Sequence, residues 1–201
     1  MICFAAIAPH QPLLLPTVGE ESDRKEVVKT ISSLKILGDQ FGMTKPEEII
    51  ISSPHKDWGF NVPLHFLAPE FEGEIEYFLT GYESPEKHFE QGKEFFRGLE
   101  KNKRYAVIAS GDLSHCLKED GPYGFQADGP KFAKALQEYL IGKNIKALFG
   151  LYDDFPEAIE CGLRSFSYLL GMLEASGKDW HPKILSYEGP FGVGYLVARM
   201  I

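Results

Sequence analysis

The apolar positions of the chain fall first into short, unbroken runs. ICFAAIA at 2–8 is too short for a helix and is closed by Pro9, which predicts a strand buried on both faces. EIIISS after Pro46 predicts a second such strand over 48–52, EIEYFLT a third over 74–80, and YAVIAS a fourth over 105–110. Between the runs the period changes. Val27, Val28, Ile31, Leu34, Leu37 and Phe41 follow helical spacing, so one helix is predicted from Ser22 to Phe41, with Ser22 as its N-cap and Gly42 as its stop. Further helices are predicted over 84–99 and 131–149. A last one spans 155–173, where Phe155, Ile159, Leu163, Phe166, Leu170 and Leu173 step by three and four before Gly177. The tail KILSYEGPFGVGYLVARM predicts two strands joined by a Gly-rich turn.

Strands alternating with helices predict an α/β fold: a three-layer sandwich with a mixed, mostly parallel central sheet, helices on both faces and a terminal hairpin at one edge. A length of 201 residues suits one domain over 1–201. The 44% hydrophobic and 25% charged content exclude a disordered or fibrous chain. Net charge narrows the partners. At −8, with no run of Lys or Arg longer than two, the chain lacks the basic footprint of a nucleic-acid binder. No apolar run approaches the ~20 residues of a membrane span, and MICFAAIAPH has no basic segment ahead of its apolar one. The expectation is a cytoplasmic protein without membrane or nucleic-acid partners; the sequence leaves homo-oligomerisation open. Cys3, Cys116 and Cys161 are odd in number and lack CxxC spacing, which argues against a disulfide framework and a structural zinc site. Any cysteine that matters acts singly.

Three of the six histidines stand in equivalent places. His10 follows the strand at 2–8, His55 the strand at 48–52, and His115 the strand at 105–110. Ligands of open α/β sheets bind beyond the strands' C-terminal ends, so imidazoles delivered there from separate strands converge without being close in sequence. One histidine after a strand is usually a surface or capping residue; three together suggest a transition-metal site, since imidazole is the commonest ligand for such ions. His65, His88 and His181 lie elsewhere and are expected to be structural or exposed. Two other patterns carry less. GPFGVG at 189–194 lacks the Lys-Ser/Thr of a P-loop and reads as a hairpin turn. SGDLSH at 110–115 holds serine, aspartate and histidine on one loop but no GxSxG elbow, leaving a hydrolase triad as a weak alternative.

With APHQPLLLP at 8–16, ISSPH at 51–55, SGDLSHCLKEDGPYGF at 110–125, ECGLRSF at 160–166 and SYEGPFGVGY at 186–195, the chain resembles the class III extradiol ring-cleavage dioxygenase superfamily. It is similar to the LigB-like subunit fold and within it to the Memo-like branch, notably the LigB-like half of AmmeMemoRadiSam system proteins. The resemblance implies His10 and His55 as ligands of a non-haem metal, and His115 as an acid/base oriented by Asp112. It implies a third ligand at either Glu160, the dioxygenase type, or Cys161, the Memo type. The two are adjacent. Glu160 also has a plain alternative in an ion pair with Arg164, and Cys161 in filling a small buried space. Gly162 matches the Memo-like CG pair and leans toward Cys161.

Fe(II) is the metal the resemblance implies, with Cu or Zn if Cys161 is the ligand, because a thiolate selects softer ions. The implied activity is oxidative cleavage of a catecholic or related small aromatic; the alternative is a non-catalytic Memo-like metal-binding or redox-regulatory module. One departure bears on the choice. Asp57-Trp58-Gly59 stands where relatives carry a DHG-type histidine motif, and a segment of several tens of residues ahead of it is missing, so Trp58 is a candidate substrate contact in place of histidine.

Overall fold

The computed structural model describes residues 1–201. Six strands form one sheet: β1 (Ile2–Ala8), β2 (Glu48–Ser53), β3 (Glu74–Leu79), β4 (Tyr105–Ser110), β5 (Lys183–Glu188) and β6 (Tyr195–Arg199). Their order is β3-β2-β4-β1-β6-β5. β1, β4, β2 and β3 run parallel, while β6 is antiparallel to both β1 and β5. The expected mixed sheet, with its terminal hairpin at one edge, is therefore present.

Alternating side chains divide the core in two. Ile2, Ala5 and Ile7 of β1, with Val107 and Ala109 of β4, face one layer of buried residues; Phe4, Ala6 and Ala8, with Ala106 and Ile108, face the other. The first layer is covered by α4 (Pro85–Arg97), α5 (Asp128–Ile141), α6 (Ile145–Asp154) and α7 (Leu163–Ser176), the second by α2 (Val28–Thr44) and α3 (Trp58–Leu67). Apolar runs without polar interruption follow from this: both faces of β1, β2 and β4 are dry. None of the helices is long and apolar enough to cross a membrane.

Four sequence-based boundaries are corrected. The helix expected over 22–41 is two, α1 (Glu21–Glu26) and α2, separated at Val27 by a non-helical backbone. Glu20, rather than Ser22, caps α1 in a reciprocal pair with Asp23, and Gly42 lies inside α2. The helix expected over 131–149 also divides, because Lys143 takes a left-handed φ of 54° and Asn144 caps α6 by accepting from the Ala147 N–H. α3 has no counterpart in the sequence reading. Its ten residues, WGFNVPLHFL, carry Pro63 in their interior, which masks the helical pattern.

The fourth correction concerns the segment before α7. Phe155 and Ile159 keep helical spacing with Leu163, yet α7 begins only at Leu163. Pro156–Ala158 form a short 3-10 turn, and Ile159 adopts the left-handed conformation at φ 48°, ψ 60°. A β-branched residue there is a genuine outlier, and it breaks any continuous helix. Glu160 and Cys161 consequently sit on a turn, where the helical relation between neighbours does not hold.

Candidate metal centre

β2, β4 and β1 are adjacent and parallel, so their C-terminal ends open on one rim of the sheet. His55 follows β2, the Gly111–His115 loop follows β4, and His10 follows β1. The turn that leads into α7 closes over this rim. Its approach depends on two glycines: a Cβ on Gly111 would lie 2.2 Å from the Gly162 Cα. Backbone bonds fix the contact, from Gly162 N–H to the Asp112 carbonyl at 3.0 Å and from His115 N–H to the Ala158 carbonyl at 3.2 Å.

His10 is held from both ends and is 3% exposed. Its backbone N–H donates to Asp112 Oδ1 at 3.2 Å, and its Nδ1 lies 3.0 Å from Ser110 Oγ. The Ser110 hydroxyl donates to the Gly59 carbonyl, which can only accept. Ser110 Oγ is thereby left to accept from His10 Nδ1–H, and the His10 lone pair falls on Nε2. Nε2 points inward, 3.5 Å from Cys161 Sγ and 3.7 Å from Asp112 Oδ2. The His10 and His55 rings meet edge to face at 5.1 Å.

Two sets of donor atoms overlap at one sulfur. One atom each from His10, His55 and Cys161 lie within 4.8 Å of one another, as do one each from Asp112, His115 and Cys161. Cys161 Sγ also accepts the Asp112 N–H at 3.4 Å. Glu160 is in neither set. Its side chain, 5% exposed, accepts through Oε2 from the Leu163 N–H at 2.6 Å at the start of α7, and its Oε1 stands 3.6 Å from the Arg164 guanidinium. Of the two adjacent candidates, the structure brings the cysteine to the histidines and turns the glutamate to the helix end.

Burial sets the charge states. It lowers the His10 pKa to about 3, helped by the cationic form of His55 alongside, so at neutral pH His10 is an uncharged imidazole. The His10–Asp112 approach is then a contact of a neutral ring with a carboxylate rather than an ion pair. Burial also lowers His115, outweighing the pull of Asp112, and raises Asp112 to about 6 against the opposing effects of His115, the His10 N–H and His55. The Cys161 thiol is pushed up by burial and by Asp112, and Glu160 is raised by burial. A cation among these groups would reverse the balance for the thiol, since a coordinating thiol loses its proton.

The donor set suits a transition metal. Two imidazoles and a thiol converge, one imidazole has its lone pair directed inward by a fixed hydrogen-bond chain, and His115 Nε2 is buried with no partner. The sequence reading did not single out Ser110 as the residue that orients His10, or Tyr123, whose ring lies 5.6 Å from that of His115. Ser110 was visible only as part of a supposed triad, and Tyr123 only as one aromatic in a Gly/Pro-rich loop. Trp58, the first residue of α3, is 46% exposed with its ring 5.4 Å from that of His55. His88 is fully buried and structural, lying between the Ser84 carbonyl and the Gly81 N–H; His181 is exposed beside Asp179.

Residues 56–198 match the family described as the catalytic LigB subunit of aromatic ring-opening dioxygenase. The chain belongs to that family. The matched span contains Asp112, His115, Glu160 and Cys161, while His10 and His55 precede it. Protein CA_C1420 of Clostridium acetobutylicum is 42% identical over 147 residues, covering 72% of this chain. The alignment covers 31% of the clostridial protein, so the chain spans about a third of that relative's length. The crystal structure of uncharacterized protein JW3007 from Escherichia coli K12 superposes with a TM-score of 0.62 over 99% of this chain and 100% of that one. At 14% identity, the second likeness is one of fold.

Proposed function

We propose that the chain is a metal-dependent oxidoreductase of the aromatic ring-cleavage type, acting on a catecholic or related small hydroxylated aromatic. The observation that carries this reading is the convergence of His10, His55 and Cys161 donor atoms beside the buried, unpaired His115 Nε2, in a chain of the LigB family. His10, His55 and Cys161 would hold the metal, with ferrous iron as the ion proposed. When bound, it would supply Lewis acidity toward the substrate's oxygens and electron transfer toward dioxygen.

The chain's own groups handle the proton. His115 Nε2, which has no hydrogen-bond partner in the protein, would accept the proton of a substrate hydroxyl and return it later. Asp112, fixed by the His10 N–H, supplies the negative charge that stabilises the imidazolium so formed. Ser110 keeps the His10 lone pair directed inward, and Trp58 offers an exposed aromatic face at the rim.

A second reading rests on Cys161. A thiolate in place of the carboxylate expected of ring-cleavage enzymes favours a softer ion such as Cu or Zn, and with it a metal-binding or redox-regulatory module without turnover. Anaerobic purification, metal analysis and oxygen-uptake assays across a set of catechols separate the two. Ring cleavage that disappears in His115→Ala with metal retained supports the enzyme. Tight metal binding without turnover on any catechol supports the module. Absence of any bound transition metal, with unchanged metal affinity in His10→Ala and His55→Ala, would sink both.

A further inference from the structure

Two exposed aromatic rings lie against histidines of the centre, Trp58 on His55 and Tyr123 on His115. Tyr123 is 55% exposed and its ring is tilted 37° from the His115 plane. The loop carrying it is held without the ring. Leu117 and Phe125 form an antiparallel bridge, Leu117 N–H donates to the Gly192 carbonyl at 3.0 Å, and Lys118 Nζ donates to the Pro190 carbonyl at 2.8 Å. At the loop's base, Gly121 and Gly192 touch so closely that a Cβ on Gly192 would lie 2.9 Å from the Gly121 Cα. The backbone is therefore fixed by main-chain contacts and one lysine, and the Tyr123 ring is left outside the core.

A second observation concerns the histidine against which Tyr123 lies. His115 Nε2 is buried and makes no hydrogen bond, although buried polar atoms are almost always paired. A flat molecule with a hydroxyl on its edge answers both features, its ring face against Tyr123 and its hydroxyl at His115 Nε2. We propose that Tyr123 is a substrate-contacting residue that stacks on the ring of a hydroxylated aromatic and favours planar ligands over saturated ones of the same size. This rests on the aromatic-substrate reading above and adds to it the residue that selects for flatness.

The experiment uses 4-nitrocatechol, whose absorbance reports binding, titrated without oxygen into iron-loaded wild-type, Tyr123→Ala and Tyr123→Phe proteins, with metal content measured in each. Stacking predicts about 3- to 10-fold weaker binding in Tyr123→Ala and a change within about 2-fold in Tyr123→Phe, at equal metal content. Unchanged affinity in Tyr123→Ala overturns the inference while leaving the aromatic-substrate reading intact. An equal loss in Tyr123→Phe overturns it by assigning the effect to the hydroxyl, and loss of metal from Tyr123→Ala overturns it by making the residue structural. Wild-type protein that holds iron and binds no 4-nitrocatechol removes the aromatic-substrate reading and this inference together.

Discussion

Replacing Ser110 with alanine tests the hydrogen-bond chain that sets His10. The hydroxyl accepts from His10 Nδ1–H and donates to the Gly59 carbonyl, and Ser110 is fully buried. Its removal leaves one buried donor and one buried acceptor without a partner, at about 1–3 kcal/mol each, so metal-free stability should fall by about 2–6 kcal/mol. The second effect is on the ring. With Nδ1–H unpaired, the His10 proton can move to Nε2, where Cys161 Sγ stands at 3.5 Å and Asp112 Oδ2 at 3.7 Å, and the inward lone pair is lost. Loss of such an orienting partner typically weakens a metal site by about 10- to 100-fold. Urea denaturation of the metal-free protein measures the first effect, and competition with a chromophoric chelator measures the second. A destabilised Ser110→Ala protein with wild-type metal affinity would refute the tautomer argument; unchanged stability would refute the hydrogen bonds themselves.

Cys161→Ser should lower metal affinity by more than about 10-fold, whereas Glu160→Gln, whose amide oxygen can still accept from Leu163 N–H, should leave it within about 2-fold by the same competition assay. For pH, the folded His10 pKa of about 3 lies below the unfolded value near 6.5, so the unfolded chain binds the extra proton between them. The stability of the metal-free protein therefore falls on acidification across that window. Asp112, raised to about 6, acts in the opposite sense, gaining stability as pH falls from about 6 toward its unfolded value near 3.8. Denaturation curves at a series of pH values should show a shallower acid loss in His10→Asn than in wild type; equal slopes would remove His10 as the cause. Ile159→Gly relieves a left-handed β-branched residue whose side chain is 45% exposed, and should raise the urea-unfolding free energy by about 0.5–1 kcal/mol, with a decrease counting against backbone strain.

The strand runs were legible because β1, β2 and β4 are dry on both sides, and such short apolar runs, closed by Pro9, Pro54 and Gly111, favour a buried strand over a helix. The placement of His10, His55 and His115 beyond the strand ends was legible for the same reason, as each follows such a run on one rim of the sheet. What stayed hidden was local. Whether Glu160 or Cys161 turns inward depends on Ile159 taking a positive φ, a conformation that its residue type argues against. α3 was hidden by Pro63, and the break at Val27 carries no residue that forces a helix to end, whereas the one at Lys143 falls between Gly142, which ends α5, and Asn144, which caps α6, a signal the apolar periodicity overran. Ser110 could not be assigned its role from sequence, because that role needs Gly59, which α3 brings to it.

The sequence distances between the clustered donors bear on how the protein folds. Cys161 and His10 are 151 residues apart, and His55 comes from a third segment, so no local stretch of chain offers two of the His10, His55 and Cys161 donors together. An unfolded chain would present them as scattered single ligands, and long-range closures of this kind form slowly. Capture of the ion during refolding should then lag behind helix formation and appear with the final cooperative phase. The centre would serve as a reporter of complete assembly, silent in any intermediate that lacks either the β1–β4–β2 pairing or the docked α7 turn.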